Sequence, residues 1–366
     1  MQRTWEAISR ITRFALWGDS SQLDREFFAK LTDEEWAETH ALSVRQGICA
    51  ILLDGIIAAD ITLPRSIKMR FISSTDKIEK EYIRKRNTLT ALAKVYANND
   101  INTMILKGLG LSLLYPNPEH RPSSDIDIYL FGKQHEADTL LRQRYNITVD
   151  EGRHHHTVFH IKGVMVENHF DFIESNSRLS AKRIEAILKN DINQTQPTSI
   201  EVDGVRLFLP SPEMNALFLI IHTGAHFAAE NVSLRHLTDW AMFLARHSKD
   251  IDWGKISQIA DSCGFAPFLA CLNSLCVYYI GMPAELAPSL TDNQPLVERV
   301  LADCMEYKLT SIPKHFVKGW FFRLRRRFAN RWKQRMVYND SEIGAFFRSF
   351  IVHITPPSLW KDKRRG

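Results

Sequence analysis

Two aspartates one residue apart, Asp125 and Asp127, are the residues of this chain whose types and spacing most clearly indicate chemistry. Side chains two residues apart in a strand point to the same face, so both carboxylates would lie side by side, with Ile126 and Ile128 buried on the other face. Adjacent carboxylates repel each other unless a cation lies between them. Their oxygens suit Mg²⁺ or Mn²⁺, which often take a substrate phosphate as a further ligand. The pair therefore predicts a divalent-cation site.

A glycine turn lies on the N-terminal side of this pair. The stretch Ile101 to Leu106 predicts a short apolar strand, and Leu111 to Tyr115 predicts one or two helical turns that end before Pro116. Lys107 and Gly108 connect the two segments. A glycine turn at a helix start leaves backbone N–H groups free to bind phosphate, and a lysine adds a positive charge for the same phosphate.

A β-hairpin is predicted after the acidic strand. Thr157 to Ile161 and Val164 to Phe172 read as two strands joined by a tight lysine-glycine turn. In the second strand, Glu167, His169 and Asp171 share one face. This face therefore carries two further carboxylates and an imidazole.

Together these residues resemble a known family, the uncharacterised bacterial nucleotidyltransferases within the polymerase-β superfamily. Lys107-Gly108 stands where that superfamily typically has glycine-serine, and the gap from Gly108 to Asp125 is longer than in its compact members. The valine-glutamate-x-histidine sequence that contains Glu167 is similar to the family's third-carboxylate segment. The other motifs that carry the resemblance are Leu106-Lys107-Gly108, Leu114-Tyr115-Pro116, Arg121 and Asp125-Ile126-Asp127.

The resemblance implies an α+β fold, with a small mixed-sheet nucleotidyltransferase core flanked by N-terminal and C-terminal helical regions. It implies transfer of a nucleoside monophosphate from an NTP, expected to be ATP, to an acceptor that the sequence does not identify, with release of pyrophosphate. Mg²⁺ or Mn²⁺ would be the cofactor. Glu167 would be the third acid and a general base, with Asp171 as the alternative. The implied catalytic and metal-binding residues are Asp125, Asp127 and Glu167, and the implied nucleotide-binding residues are Lys107, Gly108, Arg121, His169 and Arg235.

Two functions other than nucleotidyl transfer remain open. An Asp-x-Asp pair also resembles the metal-binding element of nucleotide-sugar glycosyltransferases, although no large nucleotide-sugar-binding domain precedes it here. The chain is alternatively a non-catalytic nucleotide-binding or regulatory module. The three acids argue against this last interpretation.

The histidines around the hairpin have alternative interpretations. His154, His155 and His156, with His160, either bind a transition metal or phosphate, or form a polar loop that enters a strand. No partner ligand at metal spacing is evident, which favours the loop. His169 would orient Glu167 or contact a substrate phosphate.

A second group of polar residues lies in a segment, Asn231 to Trp240, that resembles the helix following the core in the same family. Arg235 and Asp239 are four residues apart, so they share one helix face and are predicted to form an ion pair. Alternatively, Arg235 or His222 reaches the triphosphate or the acceptor.

The segment from Trp320 to Met336 predicts a basic helix. Apolar side chains recur at every fourth position, and arginines and lysines surround them. Three interpretations are open: a helix packed on the core with a solvated basic face, a helix on an anionic membrane surface, or one that binds an RNA or DNA backbone.

Composition limits the class of protein. With 366 residues, 45% of them hydrophobic, a packed core and two or three domains are expected. The five cysteines form no Cys-x-x-Cys pair, which argues against a zinc ribbon or disulfide scaffold and predicts buried free thiols. The net charge of +5 is uneven, because residues 311–366 carry +11. No signal peptide is evident, and the longest apolar stretch, Ala216 to Ile221, is too short to cross a bilayer, so a soluble cytoplasmic protein is predicted.

Helical and strand patterns divide the chain into three regions. Residues 1–98 are predicted to be helical, with one or two long helices from Ile67 to Ala97. Residues 99–210 contain the predicted strands and acids, including a hairpin that turns at Asp203-Gly204. Residues 211–366 are again predicted to be helical and end in the basic tail.

Overall fold

The computed structural model describes residues 2–152, 155–306 and 328–341, together with positions 322, 325, 326, 344, 345 and 348. Within these residues, 14 α-helices surround one six-stranded mixed sheet. This arrangement agrees with the α+β class expected from the sequence. The boundaries after residues 98 and 210 stay predictions.

The N-terminal region consists of helices, as predicted. Helix α3 begins directly after Thr32, whose hydroxyl accepts a hydrogen bond from the Glu35 backbone N–H at 3.2 Å, while the Glu35 carboxylate accepts one from the Thr32 N–H at 2.9 Å. The long charged pattern forms a single helix of 33 residues, α5. The helices are α1 (Gln2–Trp17), α2 (Arg25–Ala29), α3 (Asp33–Gln46), α4 (Cys49–Ala58) and α5 (Arg65–Ala97).

The central region forms the sheet. Its strand order is β3-β4-β2-β1-β6-β5, in which β2 pairs with β4 and β1 with β6 in parallel, and the remaining neighbours are antiparallel. The elements are β1 (Met104–Ile105), α6 (Gly108–Ser112), β2 (Ile126–Tyr129), α7 (Gln134–Tyr145), β3 (His156–Ile161), β4 (Val164–His169), α8 (Leu179–Gln194), β5 (Thr198–Val202) and β6 (Val205–Leu209).

Two strands are shorter than the sequence predicts. β1 contains only two residues, and β4 ends at His169 rather than at Phe172. β4 ends there because the backbone N–H groups of Phe170 and Asp171 both donate to the His155 carbonyl, at 3.1 Å each, instead of continuing the ladder. The predicted hairpin at Asp203 is confirmed, and it extends the sheet through β6.

The C-terminal region is helical in its described part. The helix that begins at Ala266 ends as an α-helix at Leu275 and continues as a π-helical turn over Cys276–Ile280. The helices are α9 (Pro212–Ala229), α10 (Leu234–His247), α11 (Trp253–Cys263), α12 (Ala266–Leu275), α13 (Gln294–Met305) and α14 (Arg331–Val337).

The two faces of the sheet have different partners. One face is covered by α5 and α7, which bury apolar side chains such as Leu89, Ile128 and Leu141 in one cluster. The opposite face carries the acids and is turned toward α9 and α10. Because β-strand side chains alternate between faces, Ile126 and Ile128 are buried under α5 and α7 while Asp127 points to the other side.

A second core joins the helices of the two ends of the chain. The side chain of Gln46 donates to the Cys304 carbonyl at 2.9 Å and accepts from the Leu234 N–H at 2.8 Å. All five cysteines lie in the described residues and are buried free thiols, as predicted. Among the described helices, none combines the length and apolar character that a bilayer crossing requires.

Candidate active site

Asp127 and Glu167 lie on neighbouring parallel strands, in direct register. Residues in register on adjacent strands point to the same face, so their carboxylates share one side of the sheet. Asp125 lies one residue before β2 and lines the same cleft. The structure therefore brings together the three acids that the sequence singled out, although 42 positions separate Asp125 from Glu167.

The buried carboxylate of Asp127 has a lysine and a histidine as neighbours. Its Oδ1 lies 2.9 Å from Lys107 Nζ and 3.1 Å from His169 Nε2, and the residue is only 2% exposed. Burial by itself would raise the pKa of Asp127, but Lys107 and His169 outweigh it and hold that pKa well below its ordinary value. Asp127 is therefore ionised at neutral pH, and its charge is compensated inside the protein.

His169 connects the two strand carboxylates. Its Nε2 lies 3.1 Å from Asp127 Oδ1 and 3.7 Å from Glu167 Oε2, while its Nδ1 lies 3.2 Å from the carbonyl oxygen of Asp171. A carbonyl only accepts, so Nδ1 carries a proton and Nε2 faces the carboxylates. Burial would lower the pKa of His169, but hydrogen bonding to Asp127 and Glu167 raises it.

The other two acids differ in their electrostatics. Burial, followed by the charge of Asp127, raises the pKa of Asp125. Burial also acts to raise the pKa of Glu167, but His169 and other cationic neighbours hold it below its ordinary value. The surroundings of Asp125 thus destabilise its charged form, so among the three acids its carboxylate would be stabilised most by an added cation.

The glycine turn lies beside these acids. Lys107 directly precedes α6, and Gly108 has φ of +47°, in the left-handed region that favours glycine. A Cβ at Gly108 would lie 3.6 Å from the Asp125 carbonyl oxygen, so the turn packs on the loop that leads into β2. Lys107 and Gly108 both line the cleft, as expected for residues that bind phosphate.

The cleft has a volume of about 640 Å³ and lies between the acidic face of the sheet and helices α9 and α10. Its helical wall carries His222 and His226 from α9 and Arg235 and His236 from α10. Burial lowers the pKa of all three histidines, so they are neutral near pH 7. The cleft thus has one wall of carboxylates and one of imidazoles and a guanidinium.

The predicted ion pair between Arg235 and Asp239 is wrong. Asp239 instead binds Arg121 at two points: Nε donates to Oδ1 at 2.9 Å and Nη2 donates to Oδ2 at 2.7 Å. The hydroxyl of Tyr115 donates to the same Oδ1 at 2.7 Å. Asp239 prefers Arg121 because the loop before β2 packs against α10, where a bidentate fork fits the carboxylate better than a side chain one helical turn away.

Arg235 is available for a different role. Its Nη1 donates to the Pro122 carbonyl at 3.1 Å, and within the described residues no carboxylate lies within ion-pair distance. Burial lowers its pKa, yet an arginine stays protonated at any physiological pH. A guanidinium with unused donors in a cleft favours an anionic ligand there.

Some functional candidates were missed by sequence reasoning. Lys85 on α5 is 5% exposed and its Nζ donates to the Ser123 carbonyl, so it holds the loop before β2. It lies in the long charged segment where the sequence predicted one or two helices, and nothing there indicated that this lysine is buried. Tyr115 did belong to a motif of the family resemblance, and this was the one available signal for it. His236, which nothing in the sequence singled out, also lines the cleft, as does His155, which the sequence had indicated as a candidate ligand of metal or phosphate.

Other predicted residues lie elsewhere. The alternative third acid, Asp171, forms an ion pair with Lys189 and does not line the cleft. His154 and most of the predicted basic helix lie outside the described residues. In the described part of that helix, Lys333 is 2% exposed and binds Asp303 at 2.6 Å, so this basic residue belongs to the core. Contacts of this helix with RNA or an anionic membrane stay predictions.

Comparison with known proteins gives one family. A family model described as "Uncharacterised nucleotidyltransferase" matches residues 32–281, which is more than half of the chain and includes all three acids. A search of curated proteins finds no match. Among solved structures, an antigenic nucleotidyltransferase-like protein from Paracoccidioides brasiliensis is similar, with 15% sequence identity, a TM-score of 0.31, and coverage of 44% of this chain and 75% of that chain.

Proposed function

Because the chain belongs to the family described as uncharacterised nucleotidyltransferases, we propose that it transfers a nucleoside monophosphate from an NTP to an acceptor and releases pyrophosphate. ATP is the proposed nucleotide, and the core is proposed to be of the polymerase-β type found in bacterial relatives. The proposal rests on the residues of the cleft, which combine metal ligands, phosphate-binding groups and a general base in one space.

A single observation carries the proposal: Asp127 and Glu167 are in register on parallel strands, with Asp125 just before the first of them. Two-metal phosphoryl transfer requires carboxylates that converge on one face. Here the spacing along β2 supplies one pair, and strand pairing supplies the third carboxylate. All three line the same cleft as the glycine turn.

The donor set fits Mg²⁺ or Mn²⁺. Asp125, Asp127 and Glu167 offer hard oxygen ligands, which these ions prefer. The ionised carboxylate of Asp127 lies 2.9 Å from Lys107 Nζ and 3.1 Å from His169 Nε2, so it already attracts positive charge at this position. When bound, such ions lower the pKa of an attacking hydroxyl and stabilise the charge of the transferred phosphoryl group.

The chain's own groups have distinct proposed roles. Glu167 accepts the proton of the acceptor hydroxyl, since its lowered pKa keeps it ionised near neutral pH. Lys107 moves from Asp127 to the β- and γ-phosphates, within the cleft that both residues line. Arg235 binds a phosphate oxygen with its unused N–H groups, and His169 orients Glu167. Arg121 holds the loop before β2, because Asp239 takes two of its donors.

The test is to incubate the full chain with each NTP labelled with ³²P at the α-phosphate, with Mg²⁺ or Mn²⁺ and a cell lysate. We expect the label to enter a protein, RNA or small-molecule fraction, and we expect Asp127→Asn to abolish this transfer. Equal labelling by the variant and the parent chain would contradict the assignment.

The same assay separates the alternative functions. Transfer of a sugar from a labelled nucleotide sugar, without transfer from any NTP, would indicate a glycosyltransferase. Nucleotide binding without transfer to any fraction would indicate a non-catalytic module. The family match to nucleotidyltransferases favours neither of these outcomes.

A further inference from the structure

Three histidines meet at the end of the cleft where β3 begins and β4 ends. His156 and His169 are opposite each other in the antiparallel β3–β4 ladder, so their side chains share one face. His155 precedes the strand, and its carbonyl accepts hydrogen bonds from the N–H groups of Phe170 and Asp171 at 3.1 Å each. These two backbone bonds fix His155 beside the segment that carries His169.

The imidazoles are close enough to share a ligand. One ring nitrogen of each histidine lies within 4.8 Å of the corresponding nitrogens of the other two. The ring centroids of His155 and His156 are 4.3 Å apart, and those of His156 and His169 are 5.1 Å apart. For metal–nitrogen bonds of about 2.0–2.1 Å, a tetrahedral edge is about 3.4 Å, so these nitrogens need to approach each other by at most about 1.4 Å on binding.

The polar atoms of this cluster support a bound ion. The Nδ1 atom of His155 is buried and has no hydrogen-bond partner among the described residues, which is a costly arrangement for a polar atom. His169 has its Nδ1 toward the Asp171 carbonyl at 3.2 Å. A backbone carbonyl that fixes one ring nitrogen, so that the other can ligate, is the usual partner of a metal-bound histidine.

We propose that His155, His156 and His169 bind one divalent transition-metal ion of the class of Zn²⁺ or Co²⁺. Three imidazole ligands favour these borderline-soft ions over Mg²⁺, which prefers oxygen. Glu167 Oε1 lies 3.6 Å from His156 Nε2 and is placed to be the fourth ligand. Nothing in the family description or in the proposed reaction assigns this site.

This site adjoins the proposed Mg²⁺ or Mn²⁺ site and shares Glu167 with it, and Asp127 also clusters with Glu167 and His169. The two sites differ in His155 and His156, which only the transition-metal ion would use, and in Asp125, which only Mg²⁺ or Mn²⁺ would use. Asp125 is not among the residues whose ligand atoms cluster with these histidines. The nearby positive charge of Lys107 is offset by Asp127 and Glu167. An ion held here links the start of β3 to the end of β4 and thereby positions Glu167.

The experiment uses the full chain after removal of metal with a chelator. Titration with Co²⁺ is expected to produce the visible absorption of a low-symmetry site. One equivalent of Zn²⁺ per chain is expected to remove this absorption, whereas an excess of Mg²⁺ is expected to leave it unchanged. Loss of an outer-shell partner typically weakens metal binding about 10- to 100-fold. His155→Gln and His156→Gln each remove a direct ligand, so each is expected to weaken Co²⁺ binding by more than this. Far-UV circular dichroism identifies a variant that fails to fold. In that case the Co²⁺ affinity of the other variant tests the site.

Two matched variants separate this site from the nucleotidyl-transfer site. His160→Gln removes an exposed histidine of the same strand and is expected to leave the Co²⁺ spectrum unchanged. Asp125→Asn is expected to abolish nucleotidyl transfer while the Co²⁺ spectrum remains. If both His155→Gln and His156→Gln bind Co²⁺ as tightly as the parent chain, or if the parent chain shows no visible band, the proposed site does not exist.

Discussion

Arg121 and Asp239 form a buried two-point ion pair, at 2.9 and 2.7 Å, that joins the loop before β2 to helix α10. The loop is therefore tied to the helical wall of the cleft. Arg235, from the same helix, adds a hydrogen bond to the Pro122 carbonyl in this loop. The position of Asp125 at the end of the loop thus depends on how α10 packs.

Removal of Asp239 is expected to destabilise the protein strongly. Asp239→Ala leaves the Arg121 guanidinium buried without its counter-ion, and breaking a buried pair in this way costs about 3–5 kcal/mol. The free energy of unfolding, measured by urea denaturation, gives the difference. Glu213→Ala is the control, because Glu213 pairs with Lys255 near the surface and such a pair contributes at most about 1 kcal/mol. Equal effects of the two substitutions would show that the buried pair contributes no more to the free energy of unfolding than the surface pair does.

Loss of the Asp127 charge is expected to lower the rate of transfer strongly. Asp127→Asn keeps the side-chain shape but removes the ionised ligand, so we expect a rate lower on the order of 10³-fold, or about 4 kcal/mol of transition-state free energy. Asp171→Asn is the matched control, since Asp171 pairs with Lys189 outside the cleft and should retain the parental rate. A strong loss in the control and none in Asp127→Asn would make Asp171 the functional acid.

Arg235 is expected to contribute to NTP binding. Arg235→Ala removes a guanidinium that lines the cleft and has unused donors, so KM for the NTP should rise about 10- to 100-fold, as expected for a lost charge-assisted hydrogen bond. Steady-state kinetics with varied NTP measures this change. Arg206→Ala, at an exposed position on β6, should leave KM unchanged. An unaltered KM in Arg235→Ala would show that Arg235 serves only to hold Pro122.

His120 is expected to make the stability depend on pH. Its Nδ1 lies 2.7 Å from Asp54 and its Nε2 lies 2.9 Å from Glu79. Burial would lower the pKa of His120, but the two carboxylates raise it above its ordinary value. The contribution of the protonated His120 to the free energy of unfolding should therefore be complete below about pH 6.5, the pKa of histidine in the unfolded chain. It should be lost as the pH rises through the higher pKa of His120 in the folded protein.

The measurement is urea denaturation of the parent chain and His120→Gln across this pH range. The stability difference between them should shrink as pH rises. His160→Gln, at an exposed position, should follow the parent chain at every pH. A difference that is constant with pH would mean that His120 does not gain a proton on folding.

Several features were predictable from neighbouring residues alone. The alternation of aspartate and isoleucine determined that Asp127 and Ile128 lie on opposite faces of one strand, and the structure agrees. The Thr32 cap of α3 and the Asp203-Gly204 hairpin also follow the sequence. These features depend on backbone preferences and hydrogen bonds within a few residues, which a sequence contains in full.

Only the tertiary structure decided which distant groups meet. Strand register places Glu167 beside Asp127. The packing of α10 against the loop before β2 makes Asp239 pair with Arg121 rather than with Arg235. A bend before β3 brings His155 to the same cluster as His169, although alternation in a regular strand would separate neighbouring histidines. Such contacts depend on how segments far apart in the chain bury their apolar faces against each other, and local sequence does not contain that information.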